Sequence, residues 1–115
     1  MGAKFDFKSL EQPLEVDWPV SVQVPQDGGT FEAQTFTARF RLMGKAETDA
    51  MLEKIRAGEI TDPYAWINAF WLGLGKDEAE TLSSAMREEM LGRTYVREAI
   101  VAAYQVCART APTKN

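Results

Sequence analysis

Residues 14–42, LEVDWPVSVQVPQDGGTFEAQTFTARFRL, leave this chain few ways to fold. In the first half Val16, Trp18, Val20, Val22 and Val24 alternate with Asp17, Pro19, Ser21 and Gln23. Successive side chains of a strand point to opposite faces, so a period of two sorts apolar residues to one side and polar residues to the other. In the second half Phe36, Ala38, Phe40 and Leu42 alternate with Thr35, Thr37, Arg39 and Arg41. Gln26-Asp27-Gly28-Gly29 between them tolerates positive φ, which a tight turn matched to strand twist requires. A lone hairpin is marginal in water, so the rest of the chain must cover its apolar face.

Two details of the hairpin stay open at this level. Phe31 and Ala33 are odd-numbered, whereas Phe36, Ala38, Phe40 and Leu42 are even. Either a bulge near Gln34-Thr35 brings them to one face, or Phe31 lies on the opposite face near the turn. Pro19 lacks a donor, so the first strand is an edge or Pro19 sits at an unpaired position. Before the hairpin, Phe5, Phe7 and Leu10 form a short third strand over residues 4–8 or a tether packing its rings on the core. Pro13 ends that segment.

Beyond Met43-Gly44-Lys45 the period changes to that of helices. Residues 46–56 carry acidic side chains first and basic ones last, which suits the helix dipole, and Ala57-Gly58 closes them. Thr61-Asp62-Pro63 predicts a second helix to about residue 72, with Ile67, Phe70, Trp71 and Leu74 at core spacing. Asp77 is the expected cap of a third helix, carrying Ala79, Leu82, Ala85, Met86 and Met90 and ending at Gly92. Thr94 starts a fourth, striped by Tyr95, Val96, Ala99, Ile100, Ala103, Tyr104 and Cys107, which Pro112 stops. The expected fold is therefore α+β: one domain over residues 1–115, a β-hairpin part over about 1–43, four helices over 46–110 and a flexible tail at 111–115.

Chemistry is sparse. The chain has no histidine, which removes the commonest general base and the commonest zinc ligand. Glu88 and Glu89 are adjacent on a helix and diverge, so they form a solvated face instead of a joint metal site. Asp27-Gly28-Gly29 is followed by no helix and no Lys-Ser or Lys-Thr, so it is a turn and not a phosphate loop. Cys107 is the single cysteine; it has no internal disulfide partner and reads as a buried thiol. A net charge of −4 argues against nucleic acid, and no apolar run is long enough to span a membrane. Neither a catalytic residue nor a cofactor is expected. Tyr64, Ile67, Phe70 and Trp71 exceed what one short helix needs for packing on a small sheet, so part of that surface is expected to dock on another chain. Met43, Met51, Met86 and Met90 are flexible side chains suited to varied apolar partners.

The segment VPQDGGTFEAQTFTARFRL, the later SSAMREEMLGRTYVREAIVAAYQ and the terminal Lys-Asn together resemble bacteriophage tail assembly chaperones. The most similar stretch comprises Thr94, Tyr95, Val96, Arg97, Ala99, Ile100, Val101, Ala103 and Tyr104. The chain departs from the pattern at Phe70-Trp71-Leu72-Gly73-Leu74-Gly75-Lys76-Asp77, which is shorter and lacks a Pro-Phe. The resemblance implies a non-enzymatic protein of the bacterial host cytoplasm. Such a protein binds the tape measure protein, keeps it soluble, helps recruit tail tube subunits and is absent from the finished virion. The partner-facing residues expected on this reading are Tyr64, Ile67, Phe70, Trp71, Met86, Met90, Tyr95 and Tyr104, with homo-oligomerisation an open possibility. The alternative is a permanent virion subunit, such as a tail terminator or connector, whose hairpin edge joins a neighbour's sheet.

Overall fold

A computed structural model describes residues 3–109. The elements run as a 3-10 turn (Phe7–Glu11), β1 (Glu15–Gln26), β2 (Thr30–Arg41), α1 (Lys45–Arg56), α2 (Ala65–Phe70), β3 (Trp71–Leu74), α3 (Ser84–Gly92) and α4 (Thr94–Arg109). The α+β expectation holds, with a three-stranded antiparallel sheet in the order β1-β2-β3. The expected tail at 111–115, the stop at Pro112 and the terminal Lys-Asn lie outside the described residues.

β1 and β2 pair without interruption from Glu15↔Arg41 to Gln26↔Thr30, and Gly28 and Gly29 turn the corner at φ 88° and 84°. The unbroken register resolves the phase question. Between β1 and β2 there is no bulge, so Phe31 lies on the outer face and is 63% exposed. The Leu42 N–H donates to the Leu14 carbonyl at 2.8 Å, while the Thr37 carbonyl accepts from Gly75 on the β3 side at 2.8 Å. Even-numbered residues of β1 therefore turn their main-chain groups toward β2, and odd-numbered ones turn them outward. Pro19 and Pro25 are both odd, and β1 is the outer strand, so their missing donors fall at the open edge and cost no ladder bond.

The third strand is not residues 4–8. That segment runs into the 3-10 turn, which Asp6 caps by accepting from the Lys8 N–H at 3.0 Å, and no residue of the turn is buried. The third strand comes instead from the end of the expected second helix. α2 stops at Phe70, and Trp71–Leu74 pairs with β2 at Ala38↔Leu74, Arg39↔Gly73 and Phe40↔Trp71, with an irregularity between Arg39 and Phe40. Helical periodicity up to Leu74 loses here to the unpaired edge of β2, whose main-chain groups offer ladder bonds that a short exposed helical turn cannot match.

The start of α3 moves for a related reason. Asp77 and Glu78 cap the sheet and not a helix: Thr37 donates from its hydroxyl to Asp77 at 3.1 Å and from its N–H to Glu78 at 2.6 Å. α3 begins at Ser84, where the Ser83 hydroxyl accepts from the Met86 N–H at 3.1 Å. α1 ends as expected, with Gly58 at φ 80° and a Schellman pair from the Gly58 and Glu59 N–H groups to the Ile55 and Lys54 carbonyls.

The core forms where α4 crosses the inner face of the sheet. Val20, Val22, Ala38 and Phe40 from the hairpin meet Ile67, Phe70 and Trp71 from the α2–β3 junction, Leu91 from α3, and Ile100, Tyr104 and Cys107 from α4. The spacing of the last three, every three or four residues, is the helix's buried stripe. The radius of gyration is 16.1 Å, against about 13 Å for a compact domain of this length. Parts of the chain thus project from the body.

Candidate partner-binding surface

The sequence-predicted surface divides once burial is known. Phe70 and Trp71 are fully buried, and Ile67 and Tyr104 nearly so. Phe70 stacks on Tyr104 with ring centroids 3.8 Å apart, while Phe40 and Trp66 meet Phe70 edge-on at 5.7 and 5.1 Å. The Tyr104 hydroxyl accepts from the Met43 N–H at 3.0 Å, and the Trp71 indole donates to the Gly73 carbonyl at 2.8 Å. These polar tips are satisfied internally, as buried tyrosine and tryptophan require. Phe70 and Trp71 are therefore core residues with no area to offer a partner, and Tyr104, whose small exposed remainder borders no groove among the described residues, is core as well, which corrects the expectation for them. Tyr64, Met90 and Tyr95 are half-buried, and Met86 is exposed.

Tyr64 and the exposed rim of Ile67 do share a surface. They line an open groove of about 540 Å³ with Pro63, Trp66, Arg97 and Val101, between the start of α2 and the outer side of α4. Asp62 shapes its end by accepting from the Tyr64 N–H at 2.9 Å and from the Asn68 amide at 3.1 Å. Arg97 donates to the Leu91 carbonyl at 2.7 Å and holds its guanidinium 5.7 Å from the centre of the Tyr64 ring, a cation–π distance. Met90 and Tyr95 belong to a different cleft of about 270 Å³, with Val22, Val24, Phe36 and Val96 under the distal hairpin.

Arg87, unremarked in the sequence, secures the junction behind the groove. Its guanidinium lies 4.2 Å from the centre of the Trp71 ring, and it donates to the Trp71 carbonyl and, at 2.9 Å, to the Asn68 side chain. Burial lowers its pKa from the usual guanidinium value. Burial also pushes the Cys107 thiol up, which makes it less nucleophilic.

Further exposed apolar side chains lie elsewhere. Phe5, Phe7, Leu10 and Leu14 are all exposed, Phe7 at 73%, and Phe5 and Phe7 meet each other edge-on at 5.0 Å. Together with Leu42 and Met43, this segment borders a cleft of about 490 Å³ at the base of the hairpin. Neither sequence expectation for it, strand or core tether, describes it. α1 is the second such feature. It packs extensively on no other element and buries none of its residues, while Leu52 and Ile55 stand in solvent. Its first turn is held by a forked ion pair from Arg41 to Glu47 at 2.7 and 3.0 Å. A helix of this length is marginal in water without packing.

Among the described residues no cluster of His, Cys, Asp or Glu could hold a metal ion, and no helix is long and apolar enough to cross a membrane. Comparison of the chain with family models, curated proteins and solved structures finds no match.

Proposed function

We propose that this chain is a non-enzymatic tail assembly chaperone of a long-tailed bacteriophage or prophage. On this reading it acts in the bacterial host cytoplasm, binds the tape measure protein, keeps it soluble and helps recruit tail tube subunits. The observation that carries the proposal is the apolar surface its own fold leaves uncovered: Phe5, Phe7, Leu10 and Leu14 before the hairpin, and Leu52 and Ile55 on α1. A contiguous exposed apolar patch marks a protein–protein contact. Two such patches on projecting elements suit a partner that presents long apolar helical stretches. The groove lined by Tyr64, Trp66 and Val101 adds an aromatic wall of the kind amphipathic helices dock on. The resemblance of residues 94–104 to tail assembly chaperones supplies the identity of the partner.

The test is co-expression with the tape measure protein of the same genome, followed by affinity capture. The large partner should remain soluble and copurify with several copies of this chain. A tape measure protein that precipitates unchanged would sink the reading. Mass spectrometry of purified particles separates the remaining alternative, because a permanent tail subunit would be present at a fixed ratio and a chaperone missing.

A further inference from the structure

The two long edges of the hairpin are treated differently. Along β1 the outward main-chain groups belong to Glu15, Asp17, Pro19, Ser21, Gln23 and Pro25, and two of these six have no N–H to give. Prolines on an edge strand block pairing with another chain. β2's far edge is covered only in part. β3 ends at Leu74, and Thr37 is the last residue protected, its N–H taken by Glu78 and its carbonyl by Gly75. By the same alternation, Phe31, Ala33 and Thr35 direct both main-chain groups outward, and among the described residues nothing meets them. Residues 30–35 are all exposed, and none is proline, lysine or arginine.

We infer that this edge pairs with the same edge of a second copy, antiparallel about a two-fold axis through Ala33. Charge selects the register. With Ala33 on the axis, Glu32 faces Gln34 of the other copy, a carboxylate opposite an amide, and Gln34 already donates to its own Glu32 at 2.8 Å. With Glu32 on the axis, two carboxylates would face each other directly, which is destabilising. With Gln34 on the axis, Glu32 would lie against Phe36, a charge on an apolar ring.

In the Ala33 register, Phe31 lies beside Thr35 of the other copy, and its exposed ring gains cover on the outer face. Phe31, Ala33 and Thr35 each regain both main-chain bonds. The distal hairpin, a two-stranded ribbon in one copy, becomes one half of a four-stranded sheet, β1-β2-β2-β1, with the two β2 strands inside and the proline-bearing strands outermost. Because the contact is isologous it closes at two copies and does not propagate. This inference is independent of the chaperone reading.

The test uses the whole chain and sedimentation equilibrium. The wild-type mass should rise with concentration to twice 12.9 kDa. Ala33→Pro removes only an unused N–H, as Pro19 and Pro25 do on the other strand, and should give a monomer with unchanged circular dichroism. Ala33→Cys should form a disulfide-linked dimer under mild oxidation, since paired Cα atoms at such a position lie about 5.5 Å apart, within disulfide reach. Ser21→Cys, on the proline-bearing edge, should not. A wild-type chain monomeric up to about 1 mM would overturn the inference, that being millimolar affinity or worse. So would a dimer that survives Ala33→Pro, or cross-linking at Ser21→Cys equal to that at Ala33→Cys.

Discussion

Phe70→Ala separates core from surface at the position where sequence and structure differ most in meaning. Phe70 is fully buried at the joint of three elements, with Tyr104 of α4 stacked on it at 3.8 Å and Phe40 of β2 edge-on at 5.7 Å. Trp66, one turn earlier in α2, closes the third side at 5.1 Å. Truncating a buried phenylalanine costs about 3–5 kcal/mol from lost transfer free energy and the cavity left behind. Aromatic pairs contribute about 0.5–1.5 kcal/mol each beyond area, and three are lost here, which places this variant at the upper end of that range. A domain of this kind has about 5–15 kcal/mol in total, so a third or more of its stability goes. At about 4 °C per kcal/mol the thermal midpoint falls by roughly 15–20 °C. Thermal unfolding followed by circular dichroism measures this, and urea unfolding with an unchanged slope shows that the native fold is otherwise retained. A drop of less than about 5 °C with an unchanged slope would refute the packing described, and Phe70 would return to the surface as a partner contact.

Other expectations follow from the same geometry. Leu52→Gln and Ile55→Gln, on the uncovered side of α1, should each stay within about 0.5 kcal/mol of wild-type stability, yet reduce the soluble tape measure protein recovered on co-expression. Gly75→Ala places a methyl 2.4 Å from Thr37 Cγ2 and 3.0 Å from its Cβ, and should cost about 1–3 kcal/mol in urea unfolding. Thr37→Ser, which deletes Cγ2 and keeps the hydroxyl, should recover part of that loss in the double variant. Asp17 accepts from the Lys76 N–H at 3.0 Å and from Arg39 at 2.9 Å, the first of these doing most to hold its carboxyl below the usual carboxylate range. A depressed folded-state pKa means stabilisation fully present above the unfolded value of about 3.9 and lost as pH falls through the folded one. Urea midpoints measured downward from about pH 5 should therefore fall less steeply for Asp17→Asn than for wild type.

Much of the frame is legible in the residues because it depends on local rules. Alternation through residues 14–42 with Asp27-Gly28-Gly29 between the halves is enough for the hairpin, while Pro19 leaves an edge strand or an unpaired position open and the strand order shows the edge. Gly58 and Gly92 close α1 and α3 where expected. The misplacements share one cause. Trp71–Leu74 reads as the end of a helix, and Asp77 reads as a cap, until the free edge of β2 is present to pair with one and to be capped by the other. That edge is more than thirty residues away in sequence, outside the reach of any local pattern.

The candidate surface was the less legible part. Aromatic density around Tyr64 and Trp71 reads as surplus surface for a partner, but periodicity reports only that a side chain has apolar company, not whose. Phe70, Trp71 and Tyr104 find enough of it within the chain to be buried, whereas Phe7, Leu10, Leu52 and Ile55 stay exposed. By itself the sequence determined the α+β class, the hairpin and its turn, and the absence of histidine. Only the tertiary structure decided which apolar residues stay uncovered, because burial depends on which faces are brought together. A local pattern can say that a face is apolar, but the face that remains in water is set by the packing of all the others.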